Sequence, residues 1–180
     1  MAIKKFTIDG YGQLELNQAP FRRDGSIEAQ CKIDTDSITE GYIENGMLLA
    51  IDHANRTVGY PTDASDVIAL NYTTEHMYDQ REEGLKHFKL DAGTVLPRLG
   101  YLSSGLKFTT NTLAYDDSEF TDDEALKTAA KAVKVTPLYG AACENGRIKV
   151  TATAEGAVCK VVKATTMPDG QFAIQFVAVK

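Results

Sequence analysis

Tryptophan is absent from the 180-residue chain, and cysteine and histidine occur three times each. Without tryptophan, the commonest sugar-stacking side chain is missing, and only Tyr and Phe remain as aromatic platforms for a glycan. Cys31, Cys143 and Cys159 lie far apart, with no CxxC pair and no even framework. The spacing therefore offers neither a disulfide scaffold nor a zinc site, and buried free thiols in a reducing cytoplasm are the simplest account. His53, His76 and His87 show neither HxxxH nor HExxH spacing, the mark of a helical metal site. A GxSxG nucleophile elbow, a P-loop and a GxGxxG are missing too; Gly10-Tyr11-Gly12 lacks the third glycine and reads as a turn. No apolar run approaches the ~20 residues that cross a bilayer, and Phe6-Thr7-Ile8-Asp9-Gly10 is too polar for a signal-peptide core. Basic stripes are also lacking. Net charge is −6, the pI is about 5.1, and the only local basic pairs are Lys4-Lys5 and Arg22-Arg23. Direct nucleic-acid binding and membrane association are not expected.

What is present is strand patterning. Hydrophobic content of 43% and charged content of 24% suit a globular chain. At this length ~70% of the unfolded surface is buried without a staple. Ile148, Val150, Ala152 and Ala154 alternate with Arg147, Lys149, Thr151 and Thr153, the period-two signature of a strand with one buried face. Ala157 to Thr165 is a second β-rich segment. Met167-Pro168-Asp169-Gly170 has turn chemistry, and Phe172, Ile174, Phe176 and Ala178 alternate after it. These three runs predict an antiparallel meander. Upstream, Ser26 to Ile33 alternates as one strand. Asn45-Gly46, between Ile43 and the apolar run Met47 to Ile51, predicts a hairpin with a type I′ turn. Thr57 to Tyr60, Asp66 to Tyr72, Leu85 to Leu90 and Thr94 to Leu99 read as further strands, the last an edge strand because of Pro97. Thr74 to Gly84 reads as a short helix or a long loop. The fold expected is mainly β: antiparallel hairpins forming a small barrel or sandwich, in one domain or two lobes. The candidate boundaries are an N-terminal arm over 1–24, a first lobe over 25–95 and a second over 96–180. The arm lies extended along its own domain or along a neighbouring subunit.

One short helix is predicted near 121–132. Thr121 and Glu124 have capping-box spacing, and Ala125 to Ala132 are good helix formers. The acidic run Asp116-Asp117, Glu119 and Asp122-Asp123-Glu124 reads as a solvated loop and helix start. Asp34-Thr35-Asp36 has a spacing that can bind a hard cation, but the glycine and distant glutamate of an EF-hand are absent, so it reads as a polar turn. Glu144-Asn145-Gly146 repeats Glu44-Asn45-Gly46, which recurring turn chemistry explains. An enzyme would need acids or histidines clustered in a cleft. The sequence assigns no catalytic, cofactor-binding or metal residue, and the chain is not expected to be an enzyme.

Two stretches carry a resemblance. One is Glu44-Asn45 followed by Gly46-Met47-Leu48-Leu49-Ala50-Ile51-Asp52. The other runs from Gly93-Thr94-Val95-Leu96-Pro97-Arg98-Leu99-Gly100-Tyr101 through Lys107-Phe108-Thr109-Thr110-Asn111, then Lys160-Val161-Val162-Lys163 and Thr166-Met167-Pro168-Asp169-Gly170-Gln171. Together they cover about half the chain and resemble auxiliary head proteins of tailed bacteriophages. The resemblance implies a capsid decoration, or cement, protein with no catalytic residues and no cofactor. Such a protein binds the outer head shell and stabilises it by bridging major capsid protein subunits, often as a trimer. It is found on the capsid exterior of the virion after assembly in the host cytoplasm. The chain is too short for the usual major capsid protein fold. The arm would reach a neighbour by adding a strand to a sheet edge, with many tethered contacts supplying avidity. The alternative is a phage or bacterial surface-recognition β module that binds a host surface or a glycan.

Overall fold

The structure, a computed structural model, describes residues 2–15, 21, 25–63, 66–73 and 85–179. The described strands begin with β1 (Ile3–Lys5), β2 (Ile27–Glu28), β3 (Lys32–Ile33), β4 (Tyr42–Ile43), β5 (Leu48–Asp52), β6 (Thr57–Gly59), β7 (Val67–Asn71) and β8 (Leu90–Asp91). They continue with β9 (Leu99–Tyr101), β10 (Lys107–Thr110), β11 (Leu113–Asp116), β12 (Tyr139–Ala141), β13 (Ile148–Thr151), β14 (Ala157–Thr166) and β15 (Phe172–Ala178). Helix α1 (Asp123–Lys131) follows β11. The mainly β class with one short helix is as the patterning implied.

The strands form two main sheets. The larger runs β1-β11-β13-β12-β14-β15-β10, and the second β2-β9-β7-β5-β6-β3; β4 and β8 make a separate ribbon. The second sheet draws on residues 27–101, and the larger on residues 3–5 and 107–178.

Each sheet curls, and the chain shows how. β10 and β11 lie at or near opposite margins of the larger sheet, yet only Asn111 and Thr112 separate them. One bent segment therefore serves both margins. At the bend Leu113 N–H donates to Asn111 O (2.9 Å), a tight i to i−2 bond. Thr112 N–H donates to Thr110 Oγ1 (3.0 Å). The second sheet repeats the device: β2 and β3 are its two margins, joined by Ala29 to Cys31. The single strand expected over Ser26 to Ile33 thus breaks in the middle. Glu28 Oε1 accepts from Gln30 N–H (2.7 Å), a side-chain bond that competes with the ladder.

Residues 2–15 form a strap over the seam of the larger sheet. β1 pairs antiparallel with β11, Phe6 N–H donates to Leu113 O, and Leu14 bridges Thr110 of β10. Phe6 and Leu14 are buried. The first part of the expected arm therefore lies against its own chain; Leu16 to Pro20 and Arg22 to Asp24 are outside the described residues. Phe21 is buried against the Tyr72 ring, 5.0 Å between centroids.

Four strand expectations are corrected. The C-terminal meander is interrupted: β14 and β15 form the hairpin, with its turn at Met167 to Gly170, but β12 inserts between β13 and β14. The Asn45-Gly46 turn joins no hairpin, because β4 pairs with β8 while β5 pairs with β6 and β7. Only Gly46 takes positive φ there (81°), whereas a type I′ turn needs it at both central residues. Leu85 to Leu90 is a 3₁₀ turn (Leu85–His87) before the short β8. Strand β9 starts only at Leu99, past Pro97, and lies between β2 and β7 rather than at an edge. The segment 74–84 is outside the described residues.

The core has two clusters, and the larger draws on both sheets. Its larger cluster centres on Phe108 and Phe176, directly paired across β10 and β15 with rings 5.5 Å apart. Leu48 of β5, Leu70 of β7 and Tyr72 just after β7 join the same cluster. Helix α1 buries Leu126 and Ala130. Its N-cap is Asp122, one residue later than expected: Asp122 Oδ1 accepts from Ala125 N–H (2.8 Å).

Candidate functional site: a buried ion pair and the groove between the sheets

The two Glu-Asn-Gly turns meet in space. Leu48 N–H donates to Gly146 O (2.7 Å), so the backbones after the two turns are bonded directly. Both glycines take positive φ, 81° at Gly46 and 71° at Gly146. A Cβ on Gly46 would sit 2.1 Å from Thr110 Oγ1, so the first turn demands glycine for room as well as for conformation.

This packing buries an ion pair. Arg147 Nη2 donates to both Glu44 carboxylate oxygens, at 2.9 and 2.8 Å, and Gly12 N–H donates to Oε2 at 2.8 Å. The two side chains are 6% and 4% exposed. Further polar bonds surround it. Asn71 Nδ2 donates to Glu44 O (2.9 Å), Thr112 Oγ1 to Asn45 O, and Gln13 N–H to Asn111 Oδ1 (2.7 Å). The strap, the first Glu-Asn-Gly turn, strand β7 and the β10–β11 bend thus converge on one buried polar joint. Sequence reading placed Arg147 on the polar face of its strand and gave Glu44 no role.

Beside this joint lies an open groove of about 560 Å³. Its apolar lining includes Ile3 of β1, Ile68 of β7, Leu102, Ala142 and Val158 of β14. Asp63, Asp66, Glu144 and Glu155 line it with a single cation, Lys149. Asp66 Oδ2 accepts from Thr62 and Asp63 N–H, at 2.8 and 2.9 Å, which fixes the turn before β7. Cys143 lies in the groove wall, buried, and donates to Asn145 Oδ1 and Arg147 O at 3.0 Å each. Burial pushes its thiol pKa up, which suppresses the nucleophilic thiolate. Cys31 and Cys159 are likewise buried free thiols, raised first by burial.

The residues weighed from the sequence do not come together. His53 stacks at 6.5 Å from Tyr101 in the β5–β6 turn, His87 is in the 3₁₀ turn, and His76 is outside the described residues. Asp34 Oδ1 accepts from Asp36 N–H (3.0 Å), the polar turn expected. In the acidic run, Asp116 holds Ser118, Asp122 caps α1, and Asp123 Oδ2 accepts from Thr7 N–H (3.1 Å). Glu119 accepts from Thr151 Oγ1 (2.7 Å) and Ala152 N–H (2.9 Å). The Ser118 bonds, backbone first, hold the Asp116 carboxyl below its usual range. Burial and then the Asp123 hydrogen bond push Tyr115 up to about 12. Among the described residues no group of three His, Cys, Asp or Glu is placed to hold a metal ion, and no helix is long and apolar enough to cross a membrane.

Comparison with protein-family models, curated proteins and solved structures finds no match.

Proposed function

We propose that this chain is a virion structural protein, a capsid decoration or cement protein of a tailed bacteriophage that binds the outer head shell. The reading rests on the resemblance in residues 44–52, 93–111 and 160–171. The observation that carries it further is the use made of the buried polar groups. Glu44, Arg147, Asn71 and Thr112 bond strap, turn and sheets to one another, as a protein needs that must keep its shape while bridging neighbours. A trimer on the shell, with the major capsid protein as partner, follows from the repeated subunits such a shell presents. Purified particles give the test. Quantitative mass spectrometry is expected to find the chain at a copy number in fixed proportion to the major capsid protein. Particles that lack it, or carry a trace, refute the reading.

The alternative, a surface-recognition module, draws on the groove. No aromatic ring lines it, so its described walls suit a peptide better than a stacked sugar. Micromolar glycan-array binding would favour this alternative over the shell.

A further inference from the structure

The groove and its charge make one argument together. Four carboxylates, on Asp63, Asp66, Glu144 and Glu155, and one ammonium, on Lys149, line the groove together with apolar side chains. The carboxylates do not converge: among the described residues, none of them belongs to a group of three acids, histidines or cysteines that could hold a metal ion. Their spread disfavours a compact cation, and with no ring in the walls there is no cation–π surface for a lone ammonium. A volume of about 560 Å³ is within the ~300–1,000 Å³ of ordinary ligand sites. The groove is partly open to solvent.

We propose that this groove docks an extended, cationic peptide segment of a partner protein, with apolar side chains against Ile68 and Leu102 and Lys or Arg side chains against the acidic rim. The chemistry divides the labour. Apolar contacts supply affinity, and the separated rim charges set polarity, register and encounter rate. Rim pairs in solvent are individually weak and screened by salt, so binding weakens as ionic strength rises. That the segment belongs to the major capsid protein rests on the shell-binding reading; the groove's preference for a basic amphipathic segment does not.

The test uses the full chain and fluorescein-labelled peptides in anisotropy titrations. The basic peptide KLKVKLK is expected to bind, and its acidic counterpart ELEVELE is not. Glu144 and Glu155 are exposed and make no hydrogen bond or ion pair with described residues, so the double variant Glu144→Lys, Glu155→Lys keeps the fold, as circular dichroism will show. It is expected to lose affinity for KLKVKLK at least ~tenfold. Amide shifts in ¹⁵N-correlated spectra are expected at Ile68, Leu102 and Lys149. Equal binding of both peptides, unchanged affinity in the double variant, shifts confined to other surfaces, or displacement of the peptide by equimolar spermidine would each overturn the proposal. Failure here leaves the particle composition untouched. Particles lacking the chain would refute the shell reading while the peptide result stood.

Discussion

Replacing Arg147 by methionine removes the guanidinium and keeps most of the side-chain volume. The Glu44 carboxylate then retains one of its three hydrogen bonds, that from Gly12 N–H. It is 4% exposed in the native fold and is left buried without a counter-charge. Breaking one partner of a buried pair costs about 3–5 kcal/mol, a large part of the ~5–15 kcal/mol that holds a typical domain folded. With a urea slope of about 2 kcal/mol/M, the midpoint falls by roughly 2 M. The companion variant is Arg147→Met with Glu44→Gln. The amide oxygen keeps the Gly12 bond and no charge is buried, so the double variant is expected to recover at least ~2 kcal/mol relative to the single one. Urea unfolding followed by far-UV circular dichroism and by tyrosine fluorescence reads both, since the chain has no tryptophan. Coincident transitions would indicate that the two sheets melt together, as their shared core requires. A midpoint shift under ~0.5 M in Arg147→Met, or a double variant less stable than the single one, would refute the view that this pair ties the joint.

Two further changes probe local geometry. Gly46→Ala pushes a methyl to 2.1 Å from Thr110 Oγ1 at φ 81°, whereas Gly93→Ala, at φ 80°, meets open space. Both bear the ~1–2 kcal/mol left-handed penalty, and Gly46→Ala is expected to cost at least ~1 kcal/mol more in the same urea assay. Asp122→Ala removes the observed helix cap and is expected to cost ~1 kcal/mol, while Thr121→Ala stays within ~0.5 kcal/mol; the reverse order would restore the capping box read from the sequence.

Alternation, apolar runs and β-rich composition were enough to find β5, β7, β13, β14 and β15, because each has one face or both in the core. It did not say which strand pairs with which. Tyr139 to Ala141 is three residues long and carries no period, yet it is the strand that separates β13 from β14. Asn45-Gly46 announced a change of direction correctly and its destination wrongly, since turn chemistry fixes φ but not the neighbour. Ser26 to Ile33 alternates throughout, and only the Glu28 side-chain bond to Gln30 shows why the run divides. The joint was harder still. Arg147 falls on the polar phase of its strand, and a charged residue there reads as solvated. Its burial depends on Glu44, 103 positions away. The repeated Glu-Asn-Gly was the one available signal, and it pointed to turns without pointing to their meeting.

The strap sets an order of events during synthesis. Gln13 O accepts from Thr110 Oγ1, 97 positions later, and β1 waits for β11 across a similar interval. Strand β1 and Leu14 therefore leave the ribosome well before the strands they pair with. Closing so long a loop is slow compared with forming a helix or a hairpin. Until Leu113 to Asp116 has emerged, Phe6 and Leu14 are uncovered apolar side chains on a nascent chain, open to capture by whatever chaperone or neighbouring polypeptide is at hand.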